Sequence, residues 1–346
     1  MKIKGWGRVK RWGKKLWHRS QPHALILMYH RITELDSDPQ LLSVSPDNFA
    51  EQLQIVSSFY KPLSLRELVE QLSLGRVPHQ AVAITFDDGY ADNLHEAKPI
   101  LERYGIPATV FVTAGAVGKT EEFWWDDLER LLLQPGILPE RLSLEINGSS
   151  YSWELGSSSH YSEAEHENHS NWHVLIKDDP TPRHKIYRSL CQLMRPLPTE
   201  NRQALLEKIA AWAQKDTIGR SSHRSLTPGE VKELAKGGLI EVGAHTMTHP
   251  VLSAISKARQ ESEIRQSKEY LNSILGLENP VSNFAYPYGN ESHYTLETAA
   301  TVKKVGFASA CSTVNDVVWQ GADLFQLPRF TIRNWSGEKF ASRLKG

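Results

Sequence analysis

The sequence predicts an α/β protein assembled from parallel βα units. Short apolar runs of strand length recur at 25–29, 81–86, 107–113, 239–242 and 307–313. Segments of helical character lie between them, and glycine or aspartate turns close the runs. Strand and helix alternation at this spacing favours a parallel sheet. A chain of 346 residues can bury a large core, as one domain with an insertion or as two small domains. Lys plus Arg (40) equals Asp plus Glu (40), so the whole molecule has no polyanion-binding signature and a nucleic-acid partner is not expected. Cys191 and Cys311 are too few and too far apart for a disulfide framework or a zinc ribbon.

Taken in order, residues 1–20 form a basic segment without an acid, carrying Lys2, Lys4, Arg8, Lys10, Arg11, Lys14, Lys15 and Arg19. Ile3, Trp6, Val9, Trp12 and Leu16 recur near helical spacing, so the segment reads as an amphipathic helix for an anionic membrane surface or as a disordered basic tail. No apolar stretch is long enough for a signal peptide or a membrane span, and a cytoplasmic location, peripheral on the inner membrane face, is the expectation. Residues 21–346 then form the main domain. Residues 25–29 are the first core strand, ending at His30 and Arg31. Helices follow at 47–59 and 64–72, the second opened by Ser64 and Glu67 as a capping box. Residues 92–104 read as a helix with Pro99 inside it, ended by Gly105.

The stretch 115–225 has a different texture and reads as an insertion, or lid, beside the site. A helix opens at Phe123, Asn147-Gly148 marks a hairpin, and helices are expected at 184–194 and 200–213. The His-rich stretch 157–171 reads as a solvated loop. Beyond it, 227–236 is a helix with Thr227 and Glu230 as a capping box. Helices at 256–275 and 293–304 end at Gly276 and Gly306.

Three stretches carry chemistry. In the first, AVAITFDDGY at 81–90, an apolar run stops at two adjacent carboxylates, Asp87 and Asp88, and a glycine. Both would sit just past the carboxyl end of a core strand, where α/β folds place ligands. Adjacent carboxylates repel unless a cation or proton relieves them, although Asp and Gly also populate ordinary turns. In the second, LIEVGAHTMTHP at 239–250, His245 and His249 follow another strand. Neutral imidazoles are preferred ligands for zinc and similar ions, and two His with one carboxylate leave positions open for water and substrate. The third, FAYPYG at 284–289, presents Tyr286, Pro287 and Tyr288 at a strand end.

Together the three stretches resemble the polysaccharide deacetylase family (carbohydrate esterase family 4, the NodB-type homology domain). Its T-F-D-D-G motif is Thr85–Gly89 without a mismatch, and its H-[ST]-x-x-H-P motif is His245–Pro250 without a mismatch. Its third motif is matched only in part, because Ala285 stands where the family usually carries arginine. The resemblance covers roughly 25–113 and 226–330 and implies a distorted, incomplete (β/α) barrel.

The resemblance also implies metal-assisted removal of N-acetyl groups from an acetylated amino-sugar poly- or oligosaccharide of the cell surface. Asp88, His245 and His249 would hold a divalent metal, zinc first, with Co2+, Ni2+ or Fe2+ as alternatives. Asp87 would be the general base, and Tyr286, Pro287 and Tyr288 would line the pocket. Many family members carry a Leu-x-His motif near 327–330, where this chain has Arg329. Arginine is no general acid at neutral pH, so His30, which resembles an active-site histidine of some members, is the expected acid. Arg31 or Arg329 could replace the missing motif-three arginine, and Arg329 is also counted among the substrate contacts. Trp124 and Trp125 could stack on sugar rings or serve as core of the insertion. Two alternatives remain at this stage: hydrolysis of another linear or cyclic amide, and a catalytically silent carbohydrate-binding relative.

Overall fold

The alternating segments build one curled, mostly parallel sheet, with Val318–Trp319 added antiparallel beside His23 and Ala24. The computed structural model describes residues 22–276 and 280–345; the basic segment 1–20 lies outside them. In space the strands run Ser309–Cys311, Asn283–Ala285, Ile240–Ala244, Ala108–Val112, Ala81–Phe86 and His23–Tyr29, each parallel to its neighbour. All six residues of Ala81–Phe86 are buried, as expected of a strand covered on both faces.

The segment 327–331 reaches both ends of this row. Leu327 bridges in parallel to Cys311, and Phe330–Thr331 pairs in parallel with Leu27 and Met28. The sheet therefore curls toward closure, which makes it a distorted barrel rather than an open sheet. Helices Pro46–Phe59, Pro228–Ala235 and Lys257–Leu275 bury Leu53, Val231 and Ile264 in the main core with strand residues Ile84 and Val110.

Local chemistry moves some element boundaries. Pro99 has no N–H to donate, and the expected helix over 92–104 is divided: a π-helical turn spans Asn93–Ala97, and the α-helix runs Lys98–Tyr104 with Pro99 in its first turn. Gly105 ends it at φ 62, a left-handed cap that favours glycine. The helix expected from 293 starts instead at Leu296, because Thr295 and Thr298 form its capping box. The stretch 157–171, read as loop, contains the helix Glu163–His169, nucleated by reciprocal capping between Ser162 and Glu165.

The insertion has a core of its own. Leu128 and Leu132 of helix Trp124–Leu132 pack with Ile186 and Leu190 of Pro182–Met194 and with Leu206 and Ile209 of Thr199–Ala213. The fully buried Arg183 ties its loops together, donating to the carbonyls of Leu132, Gln134, Gly136, Ser158 and Ser159. Tyr90, just past the Asp-Asp-Gly turn, belongs to this second core and so seats the insertion beside the strand ends.

Candidate active site

Functional side chains converge because each follows the carboxyl end of a barrel strand. His30 follows His23–Tyr29, Asp87 and Asp88 follow Ala81–Phe86, and His245 follows Ile240–Ala244. Together they line a cavity of about 240 Å³. The turns that aim them are strained. Asp88 (φ 73), Thr246 (φ 66), His249 (φ 53) and Tyr288 (φ 60) all adopt left-handed backbone without being glycine. Such conformations cost roughly 1–3 kcal/mol each and persist where the surroundings dictate them. Gly89 (φ +83) is required on two counts, since a Cβ there would also lie 3.0 Å from Val112.

Asp88, His245 and His249 bring one ligand atom each to within 4.8 Å of one another, the one such His, Cys, Asp or Glu cluster among the described residues. The Nε2 atoms of His245 and His249 lie 3.6 and 3.3 Å from Asp88 Oδ1. His245 Nδ1 lies 2.8 Å from the carbonyl of Ala285; with the proton on Nδ1, its Nε2 lone pair faces the cavity. Burial pulls His245 down to about 4 and His249 to about 3, so both imidazoles are neutral and able to ligate. Burial pushes Asp88 up, and its buried Oδ1 has no hydrogen-bond partner. An uncompensated carboxylate oxygen facing two neutral imidazoles fits a divalent cation.

The loop that carries the histidines is held from both sides. Glu263 accepts from the backbone N–H groups of Met247 and Thr248 and from the Thr248 hydroxyl. Arg202, buried in the insertion, donates to the carbonyls of Thr248 and His249. Thr246 Oγ1 accepts from the His249 N–H.

Asp87 is bonded quite differently. Arg329 donates to both of its oxygens, Nη1 to Oδ1 and Nη2 to Oδ2, at 2.7 Å each. The same guanidinium donates to Thr85 Oγ1 and, through Nε, to the carbonyl of Ser312. Burial alone would raise Asp87, but the charge and paired hydrogen bonds of Arg329, with help from His245, outweigh it and hold the carboxyl down at about 2. Arg329 can do this because the segment 327–331 closes the barrel beside the Asp-bearing strand.

Among the other expected residues, His30, Trp124, Trp125 and Tyr288 line the cavity. The two indoles also belong to the core of the insertion, as Trp125 Nε1 donates to Tyr90 Oη and Trp124 Nε1 to Tyr288 Oη. Four expectations need correction. Tyr286 does not line the cavity: it is fully buried, donates to the carbonyl of Phe325 and stacks on Tyr294 with ring centroids 4.0 Å apart. Pro287 is buried in the same turn, outside the lining. The left-handed Tyr288 that follows redirects the chain and sets its own ring 4.7 Å from that of His249. Arg329 faces Asp87 rather than the cavity. Arg31 is committed elsewhere, to Asp92 at 2.9 Å, and does not reach Asp87. Gln40, Arg195, Thr313 and Arg333 also line the cavity and were not expected. Only Thr313 carried a signal, as the end of a predicted strand.

The comparisons with known proteins agree with this architecture. The model of the polysaccharide deacetylase family matches residues 75–192 and 203–309, more than half of the chain and including most of the insertion. YxkH of Bacillus subtilis is 33% identical over 128 residues, covering 36% of this chain and 44% of that protein. The poly-β-1,6-N-acetyl-D-glucosamine N-deacetylase of Staphylococcus aureus is 33% identical over 119 residues, 31% of this chain and 41% of that protein. The chain thus spans less than half the length of these curated relatives. Two solved structures share the fold: the Streptococcus pyogenes deacetylase PplD in complex with acetate (TM-score 0.57, 21% identity, covering 93% of this chain and 98% of that one) and IcaB from Ammonifex degensii (TM-score 0.57, 17% identity, 94% and 98%). Matched over both halves of its barrel and carrying the family's aspartate pair and histidine pair around one cavity, the chain belongs to the polysaccharide deacetylase family.

Proposed function

We propose that this protein is a metal-dependent hydrolase that removes N-acetyl groups from an acetylated amino-sugar poly- or oligosaccharide. The observation that carries the reading is the pairing, on one cavity floor, of a three-ligand cluster with an Asp87 that Arg329 keeps ionised. The names of the Staphylococcus aureus relative and of PplD support the reaction class.

Each residue has a distinct task. Asp88, His245 and His249 would hold the divalent cation, zinc in our reading. When bound, such an ion supplies Lewis-acid polarisation of the acetamide carbonyl and acidifies water. Asp87 accepts a proton from the attacking water. Its low pKa guarantees the ionised form and sacrifices some base strength. As the C–N bond breaks, the amine nitrogen takes a proton, and in our reading His30, on the cavity lining, delivers it. Burial favours the neutral His30 ring, against the opposing pull of Asp88 and Asp87, so the proton it delivers is the one that Asp87 takes from the water. Trp124, Trp125 and Tyr288 offer ring faces and edges to the CH surfaces of a sugar.

Acetate release from N-acetylglucosamine oligomers tests this, using chelator-stripped protein reloaded in turn with Zn2+, Co2+, Ni2+ and Fe2+. Metal-dependent acetate is the expected result. Stoichiometric metal with no acetate from any acetylated glycan would sink the activity. Peripheral contact of residues 1–20 with an anionic membrane is part of the same proposal. Vesicle sedimentation of the full chain and a chain lacking 1–20 tests it, and equal binding by the two would refute it.

A further inference from the structure

The cavity holds two arginines that the proposed chemistry does not use. Arg195 comes from the end of helix Pro182–Met194, with its guanidinium 5.3 Å from the centre of the Tyr288 ring. Its Nε is buried and has no hydrogen-bond partner. Arg333 comes from the opposite part of the chain, two residues past the closing strand Phe330–Thr331, and donates to the carbonyl of Leu41. Neither forms an ion pair with a described carboxylate. Asp38, the acid that acts on Arg333, spends its oxygens on Leu42 and Ser43.

The charge balance of the lining points the same way. Its only carboxylates among the described residues are Asp87 and Asp88. Asp87 is neutralised by Arg329 behind it, and Asp88 belongs to the ligand cluster. Arg195 and Arg333 then face the space where substrate must lie with only Asp88 to offset them, and a bound cation would take up that one carboxylate. A neutral sugar gives such a wall no reason to carry two guanidinium groups, one with a buried unpaired Nε and the other with its nearest acid, Asp38, engaged elsewhere, since partly desolvated charge is costly. A planar guanidinium fork is matched by a carboxylate or a phosphate.

We propose that the glycan taken by this cavity is anionic, with a carboxylate or phosphate on or beside the acetamido sugar recognised by Arg195 and Arg333. The inference rests on the deacetylase reading for the sugar and adds the charge. Burial pulls Arg333 down from its ordinary value, so an anion beside it would be stabilising.

The test uses the full, metal-loaded chain and three probes. These are an N-acetylglucosamine tetramer, a tetrasaccharide alternating N-acetylglucosamine with glucuronic acid, and N-acetylglucosamine 1-phosphate. We expect kcat/KM for one of the two acidic probes to exceed that for the neutral tetramer by roughly tenfold or more, a preference that shrinks as salt rises. Which acidic probe wins separates carboxylate from phosphate. Arg195→Gln and Arg333→Gln should each cut the acidic-to-neutral ratio by roughly tenfold, mainly through KM, while the Arg→Lys variants keep part of it. Equal kcat/KM on all probes overturns the proposal. So does a loss of the same factor on neutral and acidic probes, which would mean that the arginines serve the transition state. Calorimetry separates this from failure of the activity. Arginine-dependent binding of an acidic probe without acetate release keeps the anionic site and ends the deacetylase reading. If the Gln variants unfold, the wild-type ratio, its salt dependence and the Lys variants decide.

Discussion

Asp87 and Asp88 are neighbours in the chain and opposites in their bonding. Both oxygens of Asp87 are met by one guanidinium at 2.7 Å, whereas the buried Oδ1 of Asp88 has no hydrogen-bond partner at all. Their carboxyls are shifted in opposite directions, down to about 2 for Asp87 and upward for Asp88. The backbone differs too, for only Asp88 is left-handed. The comparison shows what distinguishes a residue the fold has finished from one that a ligand must finish. A buried polar atom without a partner costs on the order of 1–3 kcal/mol, and a fold keeps that cost where something outside the chain relieves it. Pairs of carboxyls pushed apart in this way mark separate roles.

Substitution of the two aspartates by asparagine is the most direct attempt to break that contrast. Asp88→Asn, like His245→Ala or His249→Ala, removes one of three ligands and should abolish bound metal and activity together. Asp87→Asn should keep its metal and lose roughly 10²–10⁴-fold in kcat with little change in KM. Metal content and acetate release, measured side by side, decide. Equal metal loss in both asparagine variants would mean that the two roles are not separate.

The next test is smaller and attacks the pairing itself. Arg329→Gln leaves Asp87 buried without its counter-charge, a change that typically costs about 3–5 kcal/mol. The sign of its pH dependence follows from the shift. The Arg329 guanidinium holds Asp87 at about 2 in the folded protein, against ~3.9 when unfolded. Its contribution is therefore present above about 4 and lost as pH falls toward about 2. The stability gap between wild type and Arg329→Gln should be widest at neutral pH and narrow in acid. Urea unfolding of chelator-treated protein at several pH values measures it, and a gap independent of pH would show that Arg329 acts through packing rather than charge.

How much of this was legible in the sequence depends on distance along the chain. The two histidines and the aspartate pair were legible because each follows an apolar strand within a few residues, and strand ends in α/β proteins collect chemistry; that Asp88 rather than Asp87 is the ligand came from the family resemblance. Arg329 was legible as a candidate to replace the missing arginine beside Asp87, but the choice between it and Arg31 was not. The pairing spans more than two hundred residues and exists only because 327–331 touches both edges of the sheet. Tyr286 was misplaced because the left-handed turn at Tyr288 separates two tyrosines that look equivalent in sequence. Arg195 and Arg333 carried no local signal, arriving from an insertion helix and from the closing segment. The helix Glu163–His169 is an instructive miss, since its Ser162–Glu165 capping box was present in the sequence and the polar composition concealed it.

The smallest expected effect extends the comparison from the ligands to their supports. The His-bearing loop has strained turns at Thr246 and His249, so something must hold it. From the barrel side Glu263 of helix Lys257–Leu275 collects two backbone N–H groups and a hydroxyl; from the insertion side Arg202 binds two carbonyls of the same loop. Neither touches the ligand atoms. Supports of this kind typically change metal affinity by about 10–100-fold when removed. Glu263→Gln retains the shape but weakens acceptance from the two amides, so its metal affinity should fall within that range, below the outright loss expected for His249→Ala. Competition against a chromogenic chelator gives the affinity, and kcat at saturating metal should stay close to wild type. A Glu263→Gln protein with unchanged affinity would show that the loop geometry is set by the barrel backbone alone, and a protein that cannot be saturated would place Glu263 among the residues without which the ligands do not converge.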